Sequence, residues 1–243
     1  MTGLVLAGTY EARMFCAACV ERNIVVIASL SGATRNPDDL GVETRVGGFG
    51  GADGFSDYIR QAGITWVVDA THPFATEMTT TAAGVCAKLK IPYIALQRPA
   101  WVASEGDNWH AVDTVSELSA LIPTGSTVFL GTGRKTLSEY AMLAGCRLLC
   151  RVIDKPVGTF PHENGAFLVG RPPFSVEEEI ATLKEHGVDW VVVKNSGGSG
   201  GFSKLVAARK LGLPVAMLKR QMPRNVPIVT DVPSAVAWLE PKL

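Results

Sequence analysis

Four short segments place hydroxyl, imidazole or cationic side chains, in three of them beside glycine, directly after an apolar, β-rich run. They are Ala7-Gly8-Thr9, Ala70-Thr71-His72-Pro73-Phe74, Gly131-Thr132-Gly133-Arg134-Lys135 and Lys194-Asn195-Ser196-Gly197-Gly198. In an open parallel sheet, ligands bind beyond the carboxyl ends of the strands, so chemistry is expected at these positions. Gly8 lets the backbone come close to an anion and Thr9 adds a hydroxyl donor. The helix expected from Tyr10 turns its N–H groups and positive dipole end toward a phosphate. With one glycine rather than the full G-x-G-x-x-G fingerprint, a dinucleotide site and a turn kept for geometry are both open.

The next strand end refines the cofactor. NAD-binding domains place an acid about 20 residues beyond the glycines to hold the ribose 2′-hydroxyl, whereas a 2′-phosphate needs hydroxyl and guanidinium donors. Ser29, Ser31, Thr34 and Arg35 occupy this region and the first acid is Asp38. A bound dinucleotide is therefore expected to be NADPH. Gly48, inside Gly47-Gly48-Phe49-Gly50-Gly51, either admits the cofactor's backbone closely or serves as a flexible connection. Thr71 and His72 are expected beside the nicotinamide half, with His72 as proton donor, nicotinamide contact or plain strand cap.

For the substrate, Gly131, Thr132 and Gly133 supply donors beside Arg134 and Lys135. Cations at a helix start oppose its dipole unless an anion compensates. Lys194, Asn195 and Ser196 repeat the arrangement before a glycine-rich stretch suited to closing on a ligand.

These segments need strands to hold them. Apolar runs at Leu4 to Ala7, Ile24 to Ser29, Trp66 to Asp69 and Tyr93 to Leu96 alternate with helical patterns at Tyr10 to Arg22, Gly54 to Gln61 and Phe74 to Lys88. A second series has strands at Thr127 to Leu130, Leu148 to Val152, Ala166 to Val169, Trp190 to Val193 and Val215 to Leu218. Its helices are expected at Thr136 to Leu143, Ser175 to Glu185 and Ser203 to Leu211. Such alternation predicts an α/β fold with two mainly parallel sheets. The divisions are 1–98 as an NADPH-binding lobe, 99–123 as a connection and 124–243 as a substrate-binding α/β lobe. Ser175 and Glu178 have capping-box spacing, so Glu177, Glu178 and Glu179 are read as a helix start rather than a metal site.

Formal net charge is zero, which gives no support to a nucleic-acid or anionic-membrane partner. Residues 1–123 carry 8 Lys and Arg against 13 Asp and Glu, and residues 124–243 carry 15 against 10. The cationic second half fits a polyanionic ligand, or attraction between two surfaces. The five cysteines, including Cys16 and Cys19 in an apolar helical run, are read as reduced core thiols of a cytoplasmic protein. No zinc or other metal site is expected, and no apolar run is long enough to span a membrane.

Together, Leu6-Ala7-Gly8-Thr9-x-Glu11-Ala12-Arg13, Asp69-Ala70-Thr71-His72-Pro73-Phe74-Ala75, Gly131-Thr132-Gly133-Arg134-Lys135 and Val193-Lys194-Asn195-Ser196-Gly197-Gly198 resemble the precorrin-6A reductase family of cobalamin biosynthesis. Lys204-Leu205-x-Ala207-Ala208-Arg209 is similar to that family's closing segment. The resemblance implies two Rossmann-like lobes with an active site between them. It also implies NADPH-dependent reduction of a macrocycle double bond, precorrin-6A to precorrin-6B, without metal or flavin. The polycarboxylate tetrapyrrole would meet Arg134, Lys135 and Lys194. From the residues alone, an NADP-linked imine or enone reductase and a non-catalytic nucleotide sensor stay open, as does a metal-free or cobalt-containing substrate.

Overall fold

The computed structural model describes residues 1–32, 38–154, 156, 158–221 and 225–242. The chain begins with β1 (Thr2–Leu6), α1 (Tyr10–Glu21), β2 (Val26–Leu30), β3 (Glu43–Val46), α2 (Gly51–Gln61), β4 (Ile64–Asp69), α3 (Thr76–Leu89) and β5 (Tyr93–Leu96). It continues through β6 (Trp109–Val112), α4 (Leu118–Leu121), β7 (Thr127–Leu130), a 3-10 stretch (Arg134–Leu143), β8 (Arg147–Val152) and β9 (Gly165–Val169). Then come α5 (Val176–Glu185), β10 (Trp190–Lys194), α6 (Ser203–Leu211), β11 (Val215–Leu218), β12 (Ile228–Val229) and α7 (Val232–Leu239).

The first unit comprises Met1–Pro99 and Gln221–Leu243. Its strands are all parallel, in the order β3-β2-β1-β4-β5-β12. Both faces of the central strands are covered, which is why they read as continuous apolar runs. Val5, Ala28 and Val68 pack with Phe15, Cys16 and Cys19 of α1 and with Val236 and Leu239 of α7. On the opposite face, Leu4, Leu6 and Val67 pack with Phe55 and Ile59 of α2 and with Ala82, Val85 and Cys86 of α3. Gly3 makes room for the buried indole of its register partner Trp66; a Cβ there would lie 2.0 Å from a ring carbon.

The second unit, Ala100–Arg220, carries another parallel sheet ordered β6-β11-β10-β7-β8-β9. Read from β9, the order is that of the first sheet: β9-β8-β7 on one side, then β10, β11 and a sixth strand. In each unit the sixth place is filled by a strand from the other end of that unit's sequence. β12 arrives after the whole second unit, and β6 precedes all its neighbours. Each sheet reverses direction of winding once, at β1/β4 and at β7/β10.

The division differs from the one expected. The stretch 99–123 belongs to the second unit and supplies β6, and residues 221–243 return to the first. Side-chain bonds hold the early stretch: Asn195 grips the Trp101 backbone, and Arg209 Nε reaches Asp107 Oδ1 at 2.8 Å. Recounted by unit, Lys and Arg against Asp and Glu are 10 to 11 in the first and 13 to 12 in the second. The charge contrast between the two halves of the sequence therefore does not describe the folded units. The Cys16 and Cys19 thiols are core groups, pushed up by burial to about 11 and about 12. Among the described residues, no helix is long and apolar enough to cross a membrane.

Candidate functional site

All four of these segments fall at the two reversals of strand order, where adjacent loops part and leave a crevice beyond the strand ends. In the first unit, Leu6 and Asp69 are register partners, so the loops after β1 and β4 emerge side by side. Gly8 has φ +148°, in the region that favours glycine, and no atom lies within 4 Å of where its Cβ would stand. The backbone there is uncovered at the start of α1.

Thr9 caps α1, its hydroxyl accepting from Ala12 N–H at 3.2 Å and donating to Ala70 O at 2.8 Å. The hydroxyl expected to donate to a phosphate instead ties the two loops together. The donors left for an anion are backbone groups of the first helical turn. Glu11 in that turn is charge-compensated by Arg98, which follows β5.

Beneath the second loop, Asp69 is only 1% exposed. Its Oδ1 accepts from Thr71 N–H at 3.0 Å and Thr71 O–H at 2.7 Å, and its Oδ2 accepts from Tyr93 O–H at 2.8 Å. Burial, reinforced by the Asp69 charge, pushes the Tyr93 hydroxyl far up and keeps it a neutral donor. Thr71, expected to bind cofactor, has its hydroxyl turned to Asp69. His72 is exposed, and its Nδ1 accepts from Phe74 N–H at 3.3 Å. That assignment puts the neutral ring's proton on Nε2. Pro73 lies in the turn before α3, which starts later than expected, at Thr76.

At the ends of β2 and β3, Ser29 is buried and Ser31 exposed, whereas Thr34 and Arg35 lie outside the described residues. Asp38, the first acid, pairs with Arg13 at 2.9 Å. Arg45 is a residue that sequence reasoning missed. Its Nη1 donates to Ser29 Oγ at 2.7 Å and Gly47 O at 3.0 Å, and its Nη2 to Gly48 O at 3.0 Å. The guanidinium stacks over Phe49 at 4.0 Å and Tyr58 at 5.0 Å. Gly48 thus lies in a loop shaped by Arg45; a cation one residue before a strand end and a glycine pair was the available signal.

In the second unit, Gly131 follows β7, and its N–H donates to Val192 O at 2.9 Å. Gly133 has φ +77° and leads into the 3-10 stretch, so the expected α-helix is absent here. Arg134 and Lys135 are exposed. Thr132, expected to touch substrate, is buried and accepts from Tyr140 O–H at 3.0 Å. Asn195 likewise spends its side chain on structure: Oδ1 accepts from Trp101 N–H at 2.8 Å and Nδ2 donates to Trp101 O at 3.0 Å. Ser196 N–H donates to Lys194 O at 2.7 Å. Lys194 is held below the usual lysine range by burial, opposed by Glu139 and assisted by Lys135. Cations from the two loops therefore share one electrostatic neighbourhood.

The Ser175–Glu178 capping box forms as expected, but Glu179 turns inward. Its side chain is 1% exposed, and Oε1 accepts from Arg151 Nη1 at 2.7 Å. Oε2 has no hydrogen-bond partner. Lys204 acts on the same carboxylate, is lowered chiefly by burial, and donates to Gly201 O at 2.9 Å. The missed signal was periodicity, since Glu179 shares a helix face with buried Leu183 four residues on.

The profile of the family described as precorrin-6x reductase CbiJ/CobK matches residues 3–240. A precorrin-6A reductase of Rhodococcus erythropolis is 40% identical over 240 residues, spanning 97% of this chain and 96% of the relative. One from Rhodobacter capsulatus is 35% identical over 237 residues, spanning 97% and 94%. A solved structure described as CobK precorrin-6A reductase superposes with a TM-score of 0.94 at 33% identity, covering 99% of this chain and 96% of that one.

Proposed function

This chain belongs to the precorrin-6x reductase CbiJ/CobK family, and on that premise we propose that it reduces metal-free precorrin-6A to precorrin-6B with NADPH in cobalamin biosynthesis. The observation that carries the cofactor is the turn at Gly8, left-handed and uncovered at the start of α1. That cradle fits a dinucleotide phosphate. NADPH bound there supplies a hydride; the macrocycle gains it and one proton, and NADP⁺ is left.

Gly8 and the backbone of Thr9 hold the phosphates. Ser31, Thr34 and Arg35 receive the 2′-phosphate, and the Gly48 loop admits the cofactor closely. The reading draws support from the end of β2, where the first acid, Asp38, is already paired with Arg13. Thr71 sets the turn that presents His72 to the reacting end. If His72 Nε2–H delivers the proton, His72→Ala is expected to lower kcat roughly a hundredfold with little change in NADPH affinity; full turnover by that variant would remove the role.

Arg134, Lys135 and Lys194 hold substrate carboxylates by charge-assisted hydrogen bonds, beside the backbone of Gly131, Gly133 and Ser196. Thr132 and Asn195 keep this frame in shape. Lys194 yields a pH prediction. Its lowered pKa means the ammonium is present below that value and is lost, as pH rises, earlier than in an exposed lysine. The KM for precorrin-6A should therefore rise on the alkaline side, and Lys194→Met should raise KM about tenfold while abolishing that dependence. A pH profile of KM unchanged in the variant would contradict it. Five free, buried cysteines suit a reducing cytoplasm.

The deciding experiment is anaerobic incubation with precorrin-6A and NADPH, following the visible spectrum of the macrocycle and its mass. A gain of two hydrogens is expected. No change with precorrin-6A but turnover of the cobalt-containing form would move the substrate. Turnover only of simple imines or enones would move the reaction, and no NADPH oxidation with any of them would favour a sensor.

A further inference from the structure

Asp69 presents a physical problem that pinning a turn does not explain. Its carboxylate is withdrawn from water at the end of β4, where the strand order reverses, and it accepts from three neutral donors while donating to none. That is the pattern of an ionised carboxylate. Among the described residues it has no ion-pair partner: Arg98 pairs with Glu11, Arg13 with Asp38, and Arg45 is taken up by Ser29 and the Gly47–Gly48 carbonyls. Its charge acts on Cys86 and Tyr93, whose pKa values are both raised, chiefly by burial. Hydrogen bonds solvate such a charge without cancelling it, and a buried uncompensated carboxylate is costly to keep.

We propose that Asp69 is a fixed counter-charge for the oxidised nicotinamide, a positioning residue that favours the positively charged ring of NADP⁺ over the neutral ring of NADPH. The inference rests on the dinucleotide reading above. A dinucleotide lies across the reversal of strand order, here between β1 and β4, so with its phosphates on the β1 turn the loop after β4 is the one taken to flank the nicotinamide half. Hydride loss makes that ring cationic. A negative charge already in place, with its hydrogen bonds formed, needs no reorganisation as the positive charge develops. Thr71 and Tyr93 hold it there, and Tyr93 reaches it from the neighbouring strand β5.

The test is the ratio of dissociation constants for NADP⁺ and NADPH, measured by calorimetry without substrate. Asp69→Asn keeps an acceptor for Thr71 and removes the charge. It should weaken NADP⁺ about tenfold more than NADPH, equivalent to about 1.4 kcal/mol. Tyr93→Phe removes a donor and leaves the charge, so its ratio should stay or shift toward NADP⁺, and this arm decides if Asp69→Asn does not fold. An unchanged ratio in Asp69→Asn, or a loss of NADP⁺ preference in Tyr93→Phe, overturns the counter-charge role. Failure of the unaltered protein to bind either nucleotide would instead overturn the dinucleotide reading itself.

Discussion

Gly8→Val is expected to raise the Kd for NADPH by about a hundredfold while lowering the melting temperature by only a few degrees. The two effects separate because Gly8 serves the ligand more than the protein. Its φ of +148° lies where L side chains are strained, a penalty on the order of 1–2 kcal/mol that a loop residue can partly relieve. Apart from its chain neighbours, no protein atom lies within 4 Å of the added Cβ, so the branch point itself meets no packed side chain. What the isopropyl group covers is the approach to the first turn of α1, where a phosphate would sit against backbone N–H groups. Gly8→Ala should fall between, with a loss of roughly tenfold, because one methyl covers less of that surface. Parallel calorimetry and thermal melts check this. Equal NADPH affinity in Gly8→Val would mean the phosphates bind elsewhere, and collapse of the fold would mean the turn is structural.

The positions of these loops were readable because the strands before them are buried on both faces. Val67 and Val68, or Val191 to Val193, form unbroken apolar runs that have no other stable place than the middle of a covered sheet. Two of the edge strands, β6 and β12, were not readable. β6 is Trp-His-Ala-Val and β12 is Ile-Val; each is a strand only because β11 or β5 offers a free edge, and neither has a pattern of its own. Missing them put residues 221–243 in the wrong unit and created a charge contrast between halves that the fold does not contain.

At the sites, residue type was readable and partner choice was not. Thr9, Thr71, Thr132 and Asn195 stand where donors belong, yet their side chains bond to Ala70, Asp69, Tyr140 and Trp101. Ala70 and Trp101 are brought in by tertiary contact, of which local spacing carries no trace, whereas Asp69 and Tyr140 are near in the chain and compete for the same hydroxyls. The outcome is that hydroxyl and amide side chains fix the loops, and the ligand contacts proposed above fall to glycine backbone, His72 and the lysines and arginines. Fixed loops of this kind hold donors where charge appears, which is the condition for electrostatic preorganisation.

The largest stability effect is expected from Glu179→Leu, a loss of about 3–5 kcal/mol. The carboxylate is held in the first turn of α5 by a face that also buries Leu183, and it opposes two cations, Arg151 and Lys204. Arg151 is 12% exposed and its guanidinium lies 4.8 Å from the Phe129 ring centre and 4.3 Å from that of Phe174. Arg151 cannot gain more water without dismantling that packing. Removing the acid leaves both uncompensated, a worse state than losing one partner of an isolated pair. Glu179→Gln retains an acceptor for Arg151 and loses only the charge, so it should lie between the natural protein and Glu179→Leu. Adding Arg151→Met to Glu179→Leu should recover most of the loss, since an apolar pair of similar volume has no charge to bury. Urea unfolding of the natural protein, Glu179→Leu, Arg151→Met and the double variant measures the coupling; strict additivity would show that Arg151 and Glu179 act independently. Because Lys204 also donates to Gly201 O, the same variants should loosen the glycine-rich loop after β10 and raise the KM for substrate, even where the second unit remains folded.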